Sequence, residues 1–161
     1  MIFADKQETL DLMKGNKHAA DFIELIVDIL HFWDDLIDRD KVLSNAEINT
    51  RMFDVLVTLP RNPFYATNFA SLNVILTNSI TNWQVANRME SEGEEYEKRI
   101  AYILRSSYVD LITHAGLLVG GPEWAKHVGH KIRMHAHKEG YEGYLVNLEA
   151  EQSARAAREN Q

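Results

Sequence analysis

The residues best placed to do chemistry lie between Asn16 and Lys41. If that stretch is helical, Glu24, Asp28, His31, Asp35 and Asp38 fall within an arc of roughly 80°, with Asp34 just to one side. Asp34-Asp35-Leu36-Ile37-Asp38 sets its first and last aspartates one turn apart, where both can reach the same hard cation. Mg²⁺ suits such a pair, because it takes oxygen ligands and keeps waters that phosphate oxygens can replace. No Lys or Arg between His18 and Arg39 neutralises the stripe. A solvated acidic face explains the pattern without a ligand, although acids spaced i, i+4 repel unless a positive charge sits between them. Candidate phosphate partners are Arg39 and Lys41 just past the helix end, and Arg99 and Arg105 on a later helix.

The element carrying the stripe must be buried on most of its circumference, since Phe22, Ile23, Ile26, Ile29, Leu30, Trp33, Leu36 and Ile37 fill the rest of it. Capping signals place helices throughout. Asp5 and Glu8 open a short first helix, Gly15 and Asn16 stop it and cap the next, and Ser44 to Glu47 has the S-x-x-E form of a third start. That helix is expected to run to about Leu59 and to be broken by Pro60 and Pro63, with Asn62 capping a long helix to about Glu90. Phe69, Leu72, Leu76, Ile80 and Trp83 mark its inner face. A further helix spans about Glu95 to Val119, Gly120-Gly121-Pro122 interrupts it, and Pro122 to His137 is helical again. A last helix from about Tyr144 leads into the tail SARAARENQ, which is expected to fray. With no convincing alternation of period two, the chain is all-α: a single-domain bundle of six or seven helices covering residues 1–161.

Composition narrows the function classes. The 161 residues are 45% hydrophobic, enough for one core, and with no cysteine there is no thiolate nucleophile, disulfide or Cys-ligated metal. A formal charge of −7 argues against nucleic acid as a partner, and no apolar run reaches the roughly 20 residues of a membrane span. The N-terminus lacks the regions of a signal peptide, so the expected location is cytoplasmic; a homo-oligomer is left open. Two smaller clusters have plain structural explanations. Asp110 and His114 suit a hydrogen-bonded core pair, and His127, His130, His135 and His137 lie among lysines and arginines on a solvated basic helix.

Phe32-Trp33-Asp34-Asp35-Leu36-Ile37-Asp38-Arg39 resembles the aspartate-rich motif of class I isoprenoid synthases, the all-α prenyl diphosphate synthases and terpene cyclases. The resemblance implies a Mg²⁺-dependent enzyme acting on a diphosphate-containing substrate, with Asp34, Asp35 and Asp38 as the catalytic acids. Asp34 and Asp38 would be metal ligands and Asp35 a supporting acid. The family's second metal motif has its spacing in Asn82, Ala86 and Glu90, with alanine at the middle ligand, so Asn82 and Glu90 would complete the set. A second resemblance, of Glu24-Leu-Ile-Val-Asp28-Ile-Leu-His31-Phe32 to the helix of all-α nucleotide pyrophosphohydrolases of the MazG and dimeric dUTPase type, implies the same metal and a nucleotide substrate. The third alternative is a non-enzymatic helical interaction or assembly protein like the small helical proteins of tailed phages, with Trp33, Trp83 and Trp124, and Phe64 and Tyr65, as interface candidates.

Overall fold

The structure, a computed structural model, describes every residue except Met1, Ala4, Asp40 and Gln161. Among the described residues there are helices and no strands: α1 (Lys6–Leu12), α2 (Lys17–Asp38), α3 (Asn45–Phe53), a π-helical segment (Asp54–Thr58), α4 (Leu59–Arg61), α5 (Pro63–Thr67), α6 (Phe69–Glu92), α7 (Glu95–Leu104), α8 (Tyr108–Ala136) and α9 (Gly140–Glu159). Seven of them have seven residues or more, as the capping pattern predicts for an all-α bundle.

Helix α2 is the axis of the bundle. Asn16 caps it by accepting from the Ala19 N–H at 3.0 Å, and Arg39 ends it in the left-handed conformation with its N–H on the Asp35 carbonyl. Asp40, near which the helix was expected to end, lies outside the described residues. Phe22, Ile23, Ile26 and Val27 are almost wholly buried against α1, α5, α6 and α8, each worth about 1.5–3 kcal/mol relative to exposure. The burial stops short of the helix end: Leu36 and Ile37, expected inside, are 41% and 48% exposed. Phe69, expected on the inner face of α6, is also exposed, whereas Leu72 and Leu76 are buried as the spacing predicts. Phe64 and Tyr65 are core residues, and Tyr65 stacks on Phe22 at 5.3 Å.

Several boundaries move for identifiable reasons. Pro60 does not break the helix that begins at Ser44; the chain widens into a π turn, Leu59 donates to the Asp54 carbonyl, and the proline ring is carried past the carbonyl it would strike in a regular α-helix. The break comes at Asn62, whose side chain caps α5 by accepting from the Tyr65 N–H at 2.9 Å. The helix expected to run on to Val119 is divided at Ser106 and Ser107, whose hydroxyls donate to the carbonyls of Ile103 and Leu104 at 3.0 and 2.7 Å and compete with the helical ladder.

The break expected at Gly120-Gly121-Pro122 is a reversal. Gly121, at φ 80° and ψ −178°, folds α8 back on itself, so that Gly116 meets Val128, Gly129 meets Thr113, and Arg133 reaches Asp110 at 2.9 Å. Asp110 therefore pairs with Arg133 rather than His114, whose Nε2 is buried without a partner. Helix α9 starts ahead of Tyr144 and stays helical to Glu159, so the expected fraying tail is an ordered arm.

Candidate functional site

The acidic stripe of α2 gathers partners from distant parts of the chain. Thr9 donates to Glu24, Arg51 of α3 to Asp28 at 3.1 Å, and Lys41 pairs with Asp35. On the other flank Asp34 accepts from the Trp83 indole N–H at 2.7 Å and lies 3.5 Å from the Arg105 guanidinium. Asp38 accepts twice from Arg155 of α9, through its carboxylate at 2.7 Å and its backbone carbonyl at 2.9 Å. The neutralising charge missing from the helix itself is supplied by α3, the α7–α8 turn and α9.

Arg105 is the centre of the second flank. Besides Asp34 it donates to Glu90 at 3.0 Å, and Glu90, only 7% exposed, also accepts from the Tyr144 hydroxyl at 2.7 Å. Burial at this density of like charge moves the titrations. The Asp38 carboxyl is raised to about 6, by burial first and by Asp34 second, with Arg105 and Arg155 pulling the other way. The Tyr144 hydroxyl is raised by burial and by its carboxylate neighbour Glu90. The His137 imidazole is lowered by burial and then by Arg133, which favours its neutral form.

These groups frame a cavity of about 260 Å³. Helix α2 contributes Leu30, His31, Trp33 and Asp34, α6 contributes Ser79, Ile80 and Trp83, and α9 contributes Tyr144, Leu148 and Glu151. Tyr102, Arg105, Tyr108, His137 and Glu139 close it from the α7–α8 side. Trp33 and Trp83 meet at 5.5 Å with their planes inclined at 59°.

Of the residues singled out from sequence, the structure brings Asp34, Glu90 and Arg105 together, with Asp38 one turn beyond. The others are apart. Asp35 and Lys41 pair on the far flank of α2, Asn82 donates to the Ser107 hydroxyl at 3.1 Å, Arg99 pairs with Glu95 at 2.9 Å over the Tyr141 ring, and Arg39 serves as the α2 cap. Among the described residues no three His, Asp or Glu side chains are grouped so as to hold a metal ion. At Asp34 and Asp38, the oxygens that would face a shared ion are engaged by Trp83, Arg105 and Arg155.

The sequence pattern missed Tyr144, Glu151 and Arg155. A signal existed for the last: Leu148, Glu151 and Arg155 recur at steps of three and four, the stripe of a helix that packs rather than frays.

No protein-family model matches the chain, and neither a curated protein nor a solved structure matches it. The functional argument therefore rests on the geometry of the cavity. Among the described residues no helix is long and apolar enough to cross a membrane.

Proposed function

We propose that this chain is a small-molecule-binding protein working through the cavity between α2, α6 and α9. The supporting observation is the lining itself: aromatic and aliphatic walls with a few convergent polar groups, Asp34, Arg105, His137 and Glu151, which is the make-up of ligand sites. Its volume of about 260 Å³ lies just below the roughly 300–1,000 Å³ of sites for drug-sized molecules, so the ligand is compact. Thermal unfolding across a panel of compact cationic, neutral and anionic fragments tests this. At least one fragment should raise the melting temperature, and Ala136→Phe, which fills the cavity, should remove the rise. A panel in which no fragment stabilises the protein contradicts the proposal.

The Mg²⁺-dependent enzyme acting on a diphosphate-containing substrate is the second reading, and one observation favours it. Arg105, expected from sequence as a phosphate partner, stands beside Asp34 and Glu90. As the side chains are arranged, the carboxylates do not fit a shared Mg²⁺, so a metal would have to displace Arg105 and Arg155. The cavity would also have to open for a prenyl chain or a nucleotide. On this reading millimolar Mg²⁺ or Mn²⁺ raises the melting temperature, D34N/D38N abolishes the rise, and pyrophosphate is released from prenyl diphosphates or nucleoside triphosphates. No metal response and no release sink it.

A further inference from the structure

We infer that the ligand of this cavity is a compact organic cation, an alkylammonium group on a small apolar body; the inference rests on the cavity being a ligand site. Charge is the first argument. The lining carries three carboxylates, Asp34, Glu139 and Glu151, against the single guanidinium of Arg105. That guanidinium is already surrounded, since Glu90 and Asp38 join Asp34 and Glu151 in acting on it. An anionic ligand would meet a negative surplus, and a neutral one would leave that surplus uncompensated while displacing the water that screens it.

The walls supply the second argument. Trp33 and Trp83 present inclined ring systems beside Asp34, and an ammonium held near an aromatic face is attracted by the ring quadrupole while its alkyl groups are desolvated. The protein already places one cation of its own in this way, with the Arg105 guanidinium 5.9 Å from the Tyr144 ring centroid. A bare metal ion would make little use of these walls, because Mg²⁺ and Ca²⁺ require several oxygen ligands. An alkylammonium uses walls and acids together.

Isothermal titration calorimetry of the full chain with choline, and separately with the neutral isostere in which carbon replaces the ammonium nitrogen, tests the inference. Choline should bind at least about tenfold more tightly than the isostere, the difference expected of a desolvated cation–π contact backed by carboxylates. Glu151→Gln should weaken choline about fivefold and leave the isostere unchanged, as expected for the loss of one charge near the ligand. Equal binding of the two probes overturns the cationic assignment while leaving the cavity a ligand site. Binding of neither overturns it as well, and the fragment panel then shows whether the cavity takes another class of ligand or none.

Discussion

At the scale of single residues, the acids around Arg105 differ in what holds them. Asp38 keeps its proton more tightly in the folded protein than in the unfolded chain, its carboxyl being raised from 3.8 to about 6. The sign follows from linkage. Above about 6 its ionised form is a standing cost to the fold, and as the pH falls from about 6 towards 3.8 this group shifts the balance towards the folded state. A carboxyl-carbon NMR titration should find a midpoint near 6, and Asp38→Asn should flatten the dependence of melting temperature on pH across that window; a midpoint at the usual 3.8 contradicts the account.

Glu90 is held in the opposite way, by Arg105 and Tyr144 together. Glu90→Ala leaves a largely buried guanidinium with one of its carboxylates removed and should cost about 3 kcal/mol in chemical denaturation. Tyr144→Phe removes only a hydrogen bond to a charged acceptor and should cost about 1.5–2 kcal/mol.

At the scale of elements, two glycines of α8 make the fold-back for different reasons. Gly121 has φ 80° with open space where a Cβ would stand, so Gly121→Ala should cost about 1 kcal/mol through backbone conformation alone. Gly116 is ordinary helix, but a Cβ there would lie 2.8 Å from the Val128 side chain. Gly116→Ala should therefore wedge the two arms apart and cost about 1–3 kcal/mol, and Val128→Ala in the same chain should relieve part of that. Equal costs for the two glycine variants, both unaffected by Val128→Ala, would contradict the packed reversal. The arm at the other end behaves differently. Arg155→Ala should leave the cooperative unfolding of the core almost unchanged but speed amide exchange across residues 152–159, because that turn is tied to α2 through Asp38.

Helix identity was legible in the sequence because caps are local. Asn16, Ser44 and Asn62 announce their helices within three residues, and Gly121-Pro122 announces a break. The divisions at Asn68 and Ser107 were not legible. The serines compete with a ladder that propensity alone would continue, and the π turn that carries Pro60 through its helix leaves no mark beyond the proline itself.

At the scale of the molecule, the acidic stripe was legible and its meaning was not, because its partners are remote in sequence. Trp83 is 49 residues from Asp34, and Arg155 is 117 from Asp38. From sequence the stripe is an uncompensated charge awaiting a metal, whereas in the folded chain it is a set of tethers that draws α3, the α7–α8 turn and α9 onto α2. A cavity with an aromatic lining is left on one flank.

The most direct test of that cavity as the working site uses the three tryptophans. Trp33 and Trp83 line it, while Trp124, whose indole donates to the Leu12 carbonyl at 2.8 Å, lies outside it and serves as an internal control. In an indole N–H NMR titration with choline, the Trp33 and Trp83 resonances should move together and saturate while Trp124 stays in place. Movement of Trp124 alone, or of all three in parallel, would contradict a ligand held between α2, α6 and α9.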